Sequence, residues 1–323
     1  MPQKNNPGTL TSEIRELDEL DRKLIDVLKI DGRESFASIG AAIGLTGDSV
    51  KDRLDRLTGE GVIKVTCSVD PRVLGFNSIA LVGVKVTGSA EQIAAELVSI
   101  PEFDFVCCIS GEYDILVEVV CRDDLHLLRV VDQHLRSRPD VSSVSSHNYL
   151  EVLKFQPAGS PKEPEYISSS NLLVDDIDRK IIRALQDDGR ASFQDIAETI
   201  GVAYQTTRRR AKTLLDDKIV RSETLVNRLI EGTAIVAGVN LRTTGPISEI
   251  SEKLQLIPEV EIAVVTSGRF DLLLEVACKD RDHLATLVGS VLPSVSGIVS
   301  SETSIYQRVL KLPQSWSGLV RKQ

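Results

Sequence analysis

The chain has 323 residues, 42% of them apolar and 26% charged. These are ordinary globular values for a protein of roughly two to four domains. A net charge of −9 excludes a uniformly basic nucleic-acid-binding surface, but segregated charge still allows local basic patches. No apolar run reaches the length of a membrane span and no signal-peptide pattern opens the chain, so a cytoplasmic protein without a membrane partner is expected. Five cysteines (Cys67, Cys107, Cys108, Cys121 and Cys278) form no C-x-x-C pair. That argues against a disulfide framework and a zinc site. Those at 107, 108, 121 and 278 stand in apolar runs and read as small buried hydrophobes.

Residues 1–15 lack periodicity and are expected to be a disordered tail. A first helix follows, its apolar face made by Leu20, Leu24, Ile25 and Leu28 and its end marked by Gly32. Ser35 is a candidate cap for a second helix with Phe36, Ile39 and Ile43 on one face. Gly44 stops it, and a third helix follows with Val50, Leu54 and Leu57 inward. This is the order of a helix-turn-helix, over residues 16–66. Residues 61–65 read as a strand able to form a small wing.

From 74 to 154 the pattern alternates. A strand over 79–86 precedes a helix with Ile93, Ala94 and Leu97 apolar. Strands over 103–109 and 113–121 flank Ser110-Gly111-Glu112, a hairpin signal. Leu125, Leu128 and Val130 or Val131 mark another helix, and a strand over 141–153 closes the set. The order β-α-β-β-α-β is ferredoxin-like. Two helices cover one sheet face. The other, carrying Val117 and Val119 or their neighbours, needs a second sheet as cover.

Residues 155–172, rich in Pro, Gly and Ser, read as a linker. After them the chain begins again. A shift of 157 superposes Asp18-Glu19-Leu20-Asp21-Arg22-Lys23 on Asp175-Asp176-Ile177-Asp178-Arg179-Lys180. The same shift superposes Asp31-Gly32-Arg33 on Asp188-Gly189-Arg190 and Ser110-Gly111-Glu112-Tyr113-Asp114 on Ser267-Gly268-Arg269-Phe270-Asp271. The chain is therefore one unit written twice. The second helix-turn-helix is expected at 173–223, the second sheet domain at 231–312, and a C-terminal tail at 313–323. The fold class is α+β, two tandem units of winged helix-turn-helix plus ferredoxin-like domain.

The third helices differ between the copies. In the second, Thr207, Ala211 and Leu214 form a dry stripe, while Gln205, Thr206, Arg208, Arg209, Arg210 and Lys212 supply the polar side. Such a helix has the chemistry to enter a DNA major groove; the bland alternative is a solvated surface helix. The first copy offers Thr46, Ser49, Lys51, Arg53 and Arg56, but Asp48, Asp52 and Asp55 stand where the second has Gln205, Arg209 and Lys212. The window 46–57 is neutral and the window 203–214 carries +4. Phosphate contacts supply most non-specific affinity, so the second head is expected to be the main reader. Ala203 replaces the capping Thr46, which costs that helix about 1 kcal/mol.

The residues 20–25, Asp31-Gly32-Arg33, Ile43-Gly44-Leu45, Arg53-x-x-Arg56-Leu57 and the 110–114 hairpin together resemble the leucine-responsive regulator (Lrp/AsnC) family, and both copies match. The resemblance covers about nine-tenths of the chain. It implies a transcriptional regulator with double-stranded DNA and a small-molecule effector, an amino acid or relative, as partners. It also implies homo-oligomerisation through the sheet domains, with one tandem chain able to act as its own pseudo-dimer.

The hairpin residues Ser110, Gly111, Tyr113 and Asp114, with Ser267, Gly268, Phe270 and Asp271, have two readings. One is a ligand site in which turn amides meet a carboxylate and the aspartate meets an amine. The other is plain hairpin chemistry. The histidines at 126, 134, 147 and 283 lack metal-ligand spacing, so no metal is expected. No Walker, G-x-S-x-G or dinucleotide motif is present, and no cofactor or catalytic residue is expected. Sirohaem decarboxylases look similar in layout and are the enzyme alternative. They carry His and Arg near the hairpin, and neither hairpin here contains a His.

Overall fold

The computed structural model describes residues 17–155, 174–226 and 235–311. The tails expected at 1–15 and 313–323, and all but the first residue of the expected linker, lie outside the described residues. Copy 1 runs α1 (Glu19–Ile30), α2 (Phe36–Ile43), α3 (Gly47–Gly59), β1 (Ile63–Val69), β2 (Ser78–Val86), α4 (Ala90–Leu97), β3 (Phe103–Ile109), β4 (Ile115–Cys121), α5 (Asp124–Val131) and β5 (Val141–Phe155). Copy 2 repeats it with α6 (Asp176–Asp187), α7 (Phe193–Ile200), α8 (Tyr204–Asp216), β6 (Val220–Val226), β7 (Ile235–Thr243), α9 (Ile247–Gln255), β8 (Val260–Ser267), β9 (Leu272–Cys278), α10 (Arg281–Thr286) and β10 (Ile298–Lys311).

The chain folds as two compact units, and each draws on both copies. The first holds the two helix-turn-helix heads. Asp18 and Asp175 close capping boxes at α1 and α6, and Ser35 and Ser192 cap α2 and α7. Gly44 and Gly201 turn the chain out of α2 and α7 at φ 80° and 68°, a conformation in which a β-carbon is strained. The strand expected as a wing forms, but its partner is its own counterpart: β1 pairs antiparallel with β6, from Ile63 opposite Val226 to Val69 opposite Val220.

The repeated Asp-Gly-Arg loop explains how the heads lock. A β-carbon on Gly32 would lie 2.6 Å from Ser222 Oγ, and one on Gly189 would lie 2.7 Å from the Thr66 backbone. Only glycine admits the other copy's strand this closely. Arg33 reaches across to the carbonyls of Gly189 and Ala191, and Arg190 to those of Gly32 and Glu34. Each guanidinium also lies over the other copy's aromatic ring, Arg33 on Phe193 and Arg190 on Phe36.

The second unit is an eight-stranded closed barrel in the order β10-β3-β4-β2-β5-β8-β9-β7. Each ferredoxin-like sheet forms as expected. Its last strand then continues into the other copy, so that β5 joins β2 to β8 and β10 joins β7 to β3. Val117 and Val119 face the helices, packed with Ile93, Leu97, Leu127 and Val130. Their neighbours face the barrel interior: Leu116 packs there with Phe105, Cys107, Ile109 and Tyr113. On α5 the buried residues are Leu127, Val130 and Val131, not the expected Leu125 and Leu128, which are exposed. The helix is set by its Asp123 cap and rotated relative to that spacing. All five cysteines are buried and free.

Inside the barrel the Tyr149 hydroxyl donates to Glu118 at 2.9 Å. Lys311 and Lys154, each arriving on a crossing strand, donate to carbonyls of the other copy, those of Ile100 and of Gln255 and Ile257. Asp104 is buried with Oδ2 unpaired. Burial, reinforced by Glu118, raises its carboxyl to about 8. Burial raises Glu118 to about 7, with Glu275 adding to the rise and Tyr149 opposing it. The folded barrel therefore keeps protons that the unfolded chain releases above the ordinary carboxylate range. Stability is full at low pH and is lost as pH rises through about 7 to 8. Thermal melts should show the barrel weakening between about pH 4 and about pH 8. Glu118→Gln should flatten that dependence and add about 1–3 kcal/mol at the alkaline end; a wild-type stability independent of pH over this range contradicts the assignment.

Candidate DNA-reading heads and ligand hairpins

In α3, Thr46 Oγ1 accepts from the Ser49 amide, whereas Ala203 gives α8 no side-chain cap. Val50, Leu54 and Leu57 are buried on α3; Thr207, Ala211 and Leu214 are the buried stripe of α8. The stripes fix which residues face outward. On α8 these are Gln205, Arg208, Arg209 and Lys212, all exposed, with Thr206 partly so. Together with Thr213 and Asp216 they make one exposed polar face of the helix. On α3 the exposed set is Asp48, Lys51, Asp52 and Asp55 beside Thr46, with Ser49 half-buried.

Three expected contact residues are committed elsewhere. Arg210 binds Asp175 at 2.7 Å and Asp178 at 3.0 Å, the two carboxylates that start α6. Its counterpart Arg53 binds Asp18 at 2.8 Å and Asp21 at 2.7 Å. Arg56 binds Asp21 at 2.6 Å and Glu60 at 3.2 Å. These hydrogen bonds hold the Arg53, Arg56 and Arg210 guanidiniums above the usual arginine range. The pairs are clamps between the first and third helix of each head, and they engage three of the arginines that the sequence offers as DNA contacts. Asp21 and Asp178 were legible only as part of the repeat. What remains exposed is sharper than the sequence windows suggest: three aspartates against one lysine on α3, and three cations on the face of α8.

The hairpins at 110–114 and 267–271 sit in the barrel. Gly111 and Gly268 have φ of 126° and 129°, which is why both turns need glycine. Asp114 accepts from the Val86 amide at 2.9 Å and Asp271 from the Thr243 amide at 2.7 Å. Both therefore tie the turn to the first strand of their sheet. Tyr113 and Phe270 are buried, Tyr113 against Gly83, where a β-carbon would collide with the ring. Ser110 joins β10, its amide donating to the Ile305 carbonyl and its hydroxyl accepting from the Ile305 amide. Ser267 and Gly268 are exposed.

The structure adds Arg269, Glu112, Glu302 and His147 beside the second hairpin. Arg269 ion-pairs with Glu112 of the other hairpin and with Glu302 of β10. The sequence had shown only that the copies differ at 112 and 269. His147, from β5, is 3% exposed and packs on Phe270 at 5.7 Å between ring centroids. A histidine thus does reach the second hairpin, supplied by a strand rather than by the turn. His126 and His283 join the start of their helices to Glu102 and Glu259. Among the described residues no helix is long and apolar enough to cross a membrane.

The sequence profile of the AsnC-type helix-turn-helix domain matches residues 17–58 and 174–215, and that of the Lrp/AsnC ligand binding domain matches 79–158 and 235–316. An uncharacterised HTH-type transcriptional regulator of Pyrococcus horikoshii is 32% identical over 145 residues, 44% of this chain and 92% of that protein. An HTH-type transcriptional regulator of Mycobacterium tuberculosis is 34% identical over 140 residues, 42% of this chain and 94% of that one. Among solved structures, the siroheme decarboxylase NirDL has a TM-score of 0.64 at 13% identity, covering 94% of this chain and 96% of its own; at that identity the likeness is one of fold. Two domain types, each matched twice, and relatives of about half its length leave one assignment: the chain belongs to the Lrp/AsnC family of transcriptional regulators, with two family units in series.

Proposed function

We propose that this cytoplasmic, non-enzymatic regulator binds double-stranded DNA chiefly through α8, under the control of a small molecule held at the hairpin end of the barrel. The observation that carries the reading is the exposed cation set Arg208, Arg209 and Lys212 on α8, against Asp48, Asp52 and Asp55 on α3. Carboxylates facing phosphates oppose the contact that supplies most affinity. Gln205 and Thr206 start the helix, where base edges are met in helix-turn-helix docking. Lys51, Thr46 and Ser49 give the first head at most a weak contact.

The sheet pairing that the family resemblance assigns to oligomerisation is satisfied within one chain, since β5 and β10 close the barrel. Assembly beyond one chain would use the outer helices, where Leu125 and Leu128 stand exposed on α5.

A second reading, a tetrapyrrole-modifying enzyme, draws on His147 and Arg269 at the second hairpin. Against it, Arg269 is shared by two glutamates and the first hairpin has Ser304 in place of the histidine. Adding a tetrapyrrole to the purified protein is expected to give no Soret shift.

Replacing Arg208, Arg209 and Lys212 by alanine should weaken DNA binding, read by fluorescence anisotropy, and lower the salt slope by about three. Replacing Lys51 should change both little. Equal losses from the two heads at fixed salt would sink the asymmetry. Removing the α6 clamp separates structure from reading. Arg210→Ala should lower the melting temperature by about 3 °C, whereas Arg209→Ala should leave it within about 1 °C while weakening DNA binding.

A further inference from the structure

The two heads are fastened into one pair. β1 and β6 run antiparallel along their whole length, and Arg33 and Arg190 each bond to carbonyls of the other copy's loop. α3 and α8 therefore meet a duplex together, one on each side of the local twofold axis. In a pair of identical heads that arrangement reads an inverted repeat, because each recognition helix meets the same bases.

α3 is built as soundly as α8. Thr46 caps it at the Ser49 amide, an interaction that Ala203 does not give α8. Val50, Leu54 and Leu57 are buried, and Arg53 holds α3 to Asp21 as Arg210 holds α8 to Asp178. Only the outward positions are inverted. Asp48, Asp52 and Asp55 are exposed where α8 exposes Gln205, Arg209 and Lys212, and Lys51 keeps the charge of its counterpart Arg208. The three carboxylates stand at i, i+4 and i+7, on one stripe. Each turn of the outward face thus opposes phosphate. Those positions also lack the donors with which Arg and Gln hold guanine and adenine edges in the major groove.

We infer that the DNA site of this chain is one-sided. α8 reads a single half-site through Gln205, Thr206 and Arg209, while α3 repels the duplex on its own side, so an inverted repeat gains nothing over one half. The inference deepens the DNA reading above and rests on it.

The test begins with selection of duplexes from a random-sequence pool by the full chain, followed by fluorescence anisotropy on the selected motif. The motif is expected to have no dyad symmetry. The wild-type chain should bind the motif, its inverted repeat and a duplex scrambled on the far side within about twofold of one another. A base change inside the motif should weaken binding by about fivefold or more. A variant carrying Asp48→Gln, Asp52→Arg and Asp55→Lys should bind the inverted repeat at least about tenfold tighter than the wild type, with a salt slope steeper by about two. All three positions are exposed, so its melting temperature should stay close to that of the wild type; if the variant does not fold, the wild-type comparison decides by itself. A motif with dyad symmetry, a second half whose bases matter to the wild type, or a folded variant without the gain overturns the one-sided site. Binding that enriches no motif overturns it too, since α8 then reads no bases. Failure to bind any duplex overturns the DNA reading itself.

Discussion

One copy of the sheet domain cannot exist alone, because only one face of its sheet is covered by its own helices. The opposite face carries Phe105, Cys107, Ile109, Tyr113 and Leu116, and these must leave water. The second copy supplies the cover, and β5 and β10 each run from their own sheet into the other. Closing the barrel removes every free strand edge, the usual liability of an isolated sheet. The helical heads solve a similar problem, with β1 and β6 completing each other and two glycines admitting the approach.

Joining the copies covalently lets them differ. Residues related by the repeat meet at the local twofold axis, where a homodimer would face a residue with itself. In this chain Glu112 faces Arg269, and His147 stands where Ser304 stands in the other half. The same freedom made the exposed face of α3 acidic and that of α8 basic. Positions that hold the scaffold kept their identity: the Asp-Gly-Arg loops, the clamp made by Arg53 in one head and Arg210 in the other, and the glycines of both hairpins.

Much of this was legible beforehand. The repeat, the order of elements, the caps at Ser35 and Thr46, the missing cap at Ala203 and the buried stripe of α8 follow from local pattern, and local pattern is sequence-encoded. The face of α5 was misjudged because Leu125, Leu127, Leu128, Val130 and Val131 are all apolar, and periodicity among them does not single out one stripe. The partners that Arg53, Arg56, Arg210, Asp114 and Asp271 find within the protein were not legible either. A charged side chain on a surface helix or turn looks the same in sequence whether it meets solvent, a ligand or a carboxylate thirty residues away.

By itself, then, the sequence determined that one unit was written twice, which helix carries positive charge, and which turns demand glycine, since the first is a match of the chain with itself and the others depend on residues within a few positions of one another. Only the tertiary structure decided which arginines are spent as clamps, that the interior of one sheet domain is closed by the other, and that His147 and Glu112 come to the second hairpin. Those outcomes depend on pairings between residues far apart in the chain, and hydrophobic alternation specifies that a face must be buried without naming what will bury it.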